Sequence, residues 1–110
     1  MTSLDEERMR HALARRRGVS EKRMFGGVCF LLDENMLCVS GPRGFIFRVG
    51  PEREREALER RGARPMVLGG RRMRGFVRVD PRSCDARALR AWLDLAKRYV
   101  AMLPAKEDKR

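Results

Sequence analysis

Two apolar runs separated by only two residues constrain this chain more than any other feature. Residues 28–32 are all apolar, residues 35–39 are apolar after their first residue, Asn35, and only Asp33 and Glu34 stand between the two runs. A two-residue connection joins antiparallel neighbours, whereas parallel strands need a crossover of a dozen residues or more. The two runs can therefore form only a β-hairpin, and an antiparallel sheet is the expected framework of the fold.

Further strands are predicted on both sides of this hairpin. An extended segment begins at Lys22 and leads into the first apolar run, with a bend at Gly26-Gly27. Residues 45–49 are predicted to form one strand, because Phe45, Phe47 and Val49 alternate with Ile46 and Arg48. Residues 65–68 and 74–79 form a last hairpin. We expect about five antiparallel strands.

Three helices complete the predicted α+β fold. The first covers residues 4–17, where Ser3 and Glu6 have the spacing of a capping box. A short, highly charged surface helix covers 51–61. The last covers 85–103 and is the strongest, because its apolar residues recur at steps of three and four. Those residues are Leu89, Trp92, Leu93, Ala96, Val100 and Leu103.

Length and composition predict one domain at 1–103, followed by a flexible polar tail at 104–110. The chain has 110 residues, of which 43% are apolar and 37% charged, a mixture typical of a globular protein. It contains no apolar run long enough for a membrane span and no signal-peptide pattern at its start. We therefore expect a cytoplasmic protein with no membrane partner.

The sequence contains no pattern typical of catalysis, metal binding or cofactor binding. Its one histidine, His11, has no spacing that pairs it with a cysteine, and the three cysteines form no CxxC pair. The glycine pairs lack a phosphate-loop motif. We expect no enzymatic activity, no metal, no cofactor and no small-molecule substrate.

Two of the cysteines are predicted to lie opposite one another. If Asp33 and Glu34 form the turn, the numbers of paired residues sum to 67, so Cys29 pairs with Cys38 on one face of the hairpin. We expect free thiols packed as small core groups, with a redox switch as the alternative.

The chain is strongly basic, with 26 Lys and Arg against 15 Asp and Glu and a net charge of +11. Such an excess attracts nucleic acids and other polyanions. Six arginines in or beside two neighbouring connections could contact phosphates, namely Arg60, Arg61, Arg64, Arg71, Arg72 and Arg74. The alternative is a solvated, arginine-rich surface that affects solubility alone.

A second candidate surface is one face of the sheet. Ile46 and Arg48 point away from Phe45 and Phe47 on their strand, and Phe76 and Arg78 likewise alternate with Val77 and Val79. Three helices, one of them mostly charged, do not suffice to cover both faces. A face carrying Ile46, Arg48, Phe76 and Arg78 is suited to a homodimer or a protein partner.

Four strings, in this order, carry a resemblance to a known family. They are Met24-Phe25-Gly26-Gly27, Arg48-Val49-Gly50-Pro51-Glu52, Ala63-Arg64-Pro65-Met66 and Arg71-Arg72-Met73-Arg74-Gly75-Phe76-Val77. Together they resemble the N-terminal domain of the TfoX/Sxy family of bacterial competence regulators. In its namesakes a separate C-terminal domain follows, so we expect here a stand-alone copy of the N-terminal domain.

The resemblance implies a bacterial, cytoplasmic α+β domain linked to the regulation of DNA uptake. Two classes of function follow from the sequence. The first is a non-catalytic regulatory domain that binds a protein partner or a second copy of itself. The second is a module that binds nucleic acid or another polyanion through its arginines.

Overall fold

The computed structural model describes residues 3–24 and 26–104, which form an antiparallel sheet with helices packed against one face. The helices are α1 (Leu4–Ala12), α2 (Glu54–Leu58) and α3 (Ala86–Val100), with a 3₁₀ turn at Pro81–Ser83 before α3. The strands are β1 (Val19–Met24), β2 (Gly27–Leu32), β3 (Asn35–Gly41), β4 (Gly44–Arg48), β5 (Ala63–Leu68) and β6 (Arg71–Val79). Their order in the sheet is β1-β2-β3-β4-β6-β5. The predicted α+β class is confirmed, whereas the predicted tail, apart from Pro104, lies outside the described residues.

The sheet has six strands where about five were expected, because one extended segment is in fact two strands. The chain reverses at the glycine pair, and Met24 of β1 pairs with Gly27 of β2. A side chain at Gly27 does not fit, since its Cβ would clash with the carbonyl oxygen of Ser40 on β3. The glycines that indicated a bend therefore mark a hairpin turn.

All three helices are shorter than predicted, and α3 ends at Val100, before Leu103. The N-cap of α1 is as expected, with Ser3 Oγ accepting a hydrogen bond from the Glu6 amide at 3.0 Å. The helix nevertheless ends at Ala12, since the residues from Ala14 to Arg17 are exposed and no packing holds them. Likewise α2 keeps only its middle turn, where Glu54 and Ala57 are buried.

The helices and the sheet enclose the main core. Five predicted residues of α3, Leu89, Trp92, Leu93, Ala96 and Val100, are buried as expected. The Trp92 ring stacks on Phe47 of β4, with centroids 5.4 Å apart and planes within 8° of parallel. This core faces α1, α2 and α3, so we call this side of the sheet the helix-covered face.

A β-bulge changes the register of the hairpin formed by β2 and β3. The pairing follows the prediction near the turn, but Phe30 pairs with Cys38 and Cys29 with Val39. Leu37 is the extra residue, and it shares the main core with Cys38. The predicted Cys29–Cys38 pair is therefore wrong. Cys38 lies on the helix-covered face, and Cys29 lies on the opposite one.

Candidate interaction surface

The opposite face of the sheet carries a second apolar cluster to which no residue of the described helices belongs. Its buried members are Cys29, Leu31, Val39, Ile46 and Met66, and the half-buried Met36, Leu68, Met73 and Phe76 pack around them. We call this surface the helix-free face. Apolar side chains that no helix covers are typical of a binding surface.

A small apolar cavity opens in this cluster. Ile46, Met66, Met73 and Phe76 line it, and the turn between β3 and β4 borders it with Arg43. Its volume is about 70 Å³, well below the roughly 300–1,000 Å³ of pockets that enclose small-molecule ligands. The cavity has room for one inserted side chain.

The residues predicted for this surface share a face, but they differ in accessibility. Ile46 and Arg78 are cross-strand partners on β4 and β6, as are Arg48 and Phe76. Ile46 is only 8% exposed and forms the floor, whereas Arg48, Phe76 and Arg78 are half-buried. The Arg48 guanidinium lies 5.7 Å from the centre of the Phe76 ring. It also donates a hydrogen bond to the Met36 carbonyl oxygen at 3.4 Å.

A basic cleft adjoins the apolar cavity. Four arginines line it, Arg43, Arg64, Arg78 and Arg82, together with the carboxylates of Asp5 and Asp80. Arg64 and Arg78 are direct cross-strand partners on β5 and β6. Gly41, Pro42 and Arg43 belong to the walls of both the cavity and the cleft, so the two concavities form one continuous surface.

Carboxylates are nearly absent from the strands. Glu21 of β1 is the one acidic residue in the six strands, against eight Lys and Arg. It lies opposite Phe30 and accepts hydrogen bonds from Arg10 of α1 at 2.6 and 2.9 Å, so it belongs to the helix-covered face. Among the described strands, the helix-free face therefore has basic residues and no acidic ones.

The arginine patch predicted from the connections is divided between the two faces. Arg72 and Arg74 lie beside α2 on the helix-covered side, and Arg60 lies 5.1 Å above the Trp92 ring. Arg64 lies on the helix-free face with Arg78.

The remaining two arginines do not join these groups into one site. Arg71 is exposed at the tip of the last hairpin, opposite Leu68, and Arg61 is exposed after α2. Leu68 lies four residues further along β5 than Arg64, or about 13 Å away at roughly 3.3 Å per residue. Arg64 therefore does not converge with Arg71, Arg72 and Arg74 on one site.

One buried carboxylate, Glu54, escaped the sequence analysis. It is 5% exposed and accepts hydrogen bonds from the Gly75 amide at 2.8 Å and from Arg72 at 2.9 Å. Burial acts to raise the pKa of Glu54, but these two hydrogen bonds and the charges of Arg72 and Arg74 lower it below its usual value. Glu54 therefore ties α2 to β6 and neutralises an arginine there.

The described residues contain no group of histidine, cysteine and acidic side chains that could hold a metal ion. Burial raises the pKa of the Cys29, Cys38 and Cys84 thiols, that of Cys38 the most, and so disfavours the reactive thiolate. His11 is exposed on α1. Within the same residues, no helix combines the length and the apolar character that crossing a membrane requires.

The chain matches a known protein family. The family model described as the TfoX N-terminal domain matches residues 11–99, from within α1 almost to the end of α3. No curated protein and no solved structure matches the chain significantly. Because the family model covers most of the 110 residues, the chain belongs to the family of TfoX N-terminal domains.

Proposed function

We propose that this protein is a non-catalytic regulatory domain that binds another protein through the helix-free face. One observation carries the proposal: an apolar cavity on a face that none of the described helices covers, bordered by arginines without an acidic partner among the described residues. Neither Arg64 nor Arg78 forms an ion pair with any described residue. An apolar centre with a polar rim is the usual composition of a protein–protein interface.

Family membership supports the finer part of the proposal. The regulators that give the family its name act in bacteria, where they control genes for DNA uptake. We assign this domain to the same kind of regulation, in the cytoplasm. Its contribution would be recognition of a partner.

A different protein is a better partner for this face than a second copy. In a symmetric dimer the same patch of both copies meets itself. Arg43, Arg64 and Arg78 of both copies would then lie within one interface. The strands of this face offer no carboxylate to separate them, so the repulsion would oppose association.

Affinity capture from nuclease-treated lysate of the source cells tests the proposal, with Met73→Lys against Val67→Lys. Met73 lines the cavity, whereas Val67 is 49% exposed on the neighbouring strand and does not line it. Both variants add the same charge. We expect Met73→Lys to lose the proteins that the unaltered domain retains, and Val67→Lys to retain them.

Two results would contradict this function. Equal capture by the two variants would mean that the helix-free face does not bind the partner. A dimer in sedimentation experiments that Met73→Lys dissociates would make a second copy the occupant. Melting curves of both variants verify that each is folded.

The basic cleft favours polyanion binding as a second candidate function. It gathers four arginines in a chain of net charge +11, and arginine donors can pair with phosphates without reading bases. Nucleic acid that the domain retains from lysate, and whose retention disappears with nuclease treatment and falls steeply with salt, would favour this function.

A further inference from the structure

Resting on the proposed function, we infer that the partner presents an acidic amphipathic segment. One apolar side chain of the segment enters the cavity beside Ile46 and Phe76. Carboxylates that flank this side chain pair with Arg43, Arg64 and Arg78 in the adjoining cleft.

The size and composition of the cavity define the apolar half of the ligand. About 70 Å³ admits a single side chain such as leucine or methionine, and the walls are apolar. Three of the lining residues, Met36, Met66 and Met73, are methionines. Methionine is unbranched and adapts its shape, so such a cavity accepts different apolar side chains.

The arrangement of charge defines the acidic half. Arg64 and Arg78 are directly opposite one another, and like charges in that position repel. Of the two carboxylates in the cleft, Asp5 pairs with Arg8 at 3.3 Å, and Asp80 accepts a hydrogen bond from the Arg82 amide at 2.9 Å. Among the described residues, neither forms an ion pair with Arg64 or Arg78. An incoming carboxylate would relieve the repulsion and form charge-assisted hydrogen bonds.

The continuity of the two concavities favours a protein segment over a nucleic acid. The turn of Gly41, Pro42 and Arg43 belongs to both, so one ligand touches both at once. A phosphate backbone could occupy the cleft but has no apolar group for the cavity. Base stacking needs exposed rings, and the Phe76 ring is half-buried beneath Arg48.

Fluorescence anisotropy with defined probes tests this inference. The first probe is a labelled amphipathic peptide with leucines on one side and glutamates around them. In the second, lysine replaces glutamate; in the third, serine replaces leucine; the fourth is a labelled oligonucleotide. We expect the first peptide to bind at least about tenfold more tightly than each of the others, since both interactions contribute.

Matched pairs of substitutions locate the binding site. Arg43→Gln with Arg64→Gln removes two exposed charges from the cleft, and Arg53→Gln with Arg55→Gln removes two exposed charges beside α2. We expect the cleft pair to weaken binding of the acidic peptide by about tenfold. The control pair should change it by less than about twofold, since it alters only the distant field of the protein.

Each contrary outcome has a definite meaning. Equal affinity for the glutamate and lysine peptides, equal effects of the two arginine pairs, or tighter binding of the oligonucleotide would overturn the inference. If no peptide binds while Met73→Lys still loses the captured protein, the acidic segment is wrong and the proposed function stands. If Met73→Lys and Val67→Lys also capture alike, both fail.

Discussion

The two faces of the sheet are built from alternate residues of the same strands, yet they are closed in different ways. On the helix-covered face, Phe30, Phe45 and Phe47 are at most 1% exposed, and Trp92 stacks on Phe47. On the helix-free face, methionines and Phe76 remain half-buried around a cavity. The difference indicates that one face maintains the fold while the other remains available for binding.

The two faces also differ in whether their basic side chains have acidic partners. On the helix-covered side, basic side chains meet carboxylates of the helices, as Arg72 meets Glu54 and Arg23 meets Glu6. On the helix-free side, Arg64 and Arg78 face each other. The helices supply the acidic partners of the sheet, and the face without helices has none on its strands.

Replacing Trp92 with alanine should produce the largest effect and would test whether the helix-covered face maintains the fold. The ring is 3% exposed and stacked on Phe47. We expect the free energy of unfolding to fall by about 3–5 kcal/mol, as for other large core deletions. Urea denaturation measures it, and an unchanged midpoint would show that the helix contributes little to this core.

Replacing Glu54 with alanine should have the next largest effect. It leaves the Gly75 amide buried without an acceptor, which costs about 1–3 kcal/mol. Glu54→Gln is the matched control, because its amide oxygen can still accept that hydrogen bond.

The stabilisation by Glu54 should also depend on pH. Its folded pKa is lowered from the ordinary value of 4.5. The charge therefore stabilises the fold fully above that value and loses its effect as pH falls through the folded pKa. Melting temperatures of Glu54→Gln and the unaltered protein should converge at acidic pH; a constant difference would contradict the lowered pKa.

Replacing Phe76 with alanine compares the second apolar cluster with the first. The ring is half-buried, and none of the described helices covers it. We expect a loss of about 1–2 kcal/mol, since less apolar area is removed from water than at Trp92. Urea denaturation of Phe76→Ala and Trp92→Ala side by side measures the two losses in the free energy of unfolding. A loss as large as that of Trp92→Ala would mean that the helix-free face is a second structural core.

The smallest effect is expected for the facing arginines. Arg64→Gln and Arg78→Gln, alone and together, form a double-mutant cycle for the pair. We expect a repulsive coupling of about 0.2–0.5 kcal/mol that shrinks at high salt through screening. Thermal unfolding at two ionic strengths measures it, and an attractive coupling would show that the two guanidinium groups do not repel.

Much of the fold was predictable because local signals agreed with the tertiary structure. The two-residue turn required a hairpin, and Asp33 and Glu34 have the positive φ angles, 51° and 69°, of a type I′ turn. The spacing of apolar residues in α3 predicted its buried side. The bulge at Leu37 could not be predicted. Residues 36–39 are all apolar, so the sequence does not show which face of the sheet each side chain takes, and either register buries apolar residues.

The candidate site was predictable only in part. Alternation along β4 and β6 correctly grouped Ile46 with Arg78, because side-chain direction follows directly from strand geometry. The patch of six arginines was predicted because these residues are close together in the sequence. Closeness in the sequence does not show that Arg64 and Arg72 lie on different faces of the sheet. Nothing in the charged run 52–61 distinguishes Glu54 from its neighbours, since only tertiary contacts bury it.

The two strands at the borders of the sheet affect how the protein behaves at high concentration. β1 presents Glu21, Lys22 and Arg23, and β5 presents Arg64 and Pro65, which has no amide hydrogen to donate. Charged side chains and proline on border strands are the means by which natural sheets prevent edge-to-edge aggregation. The protein can thus keep an apolar cavity open and still resist growing into fibrils by strand addition at either border.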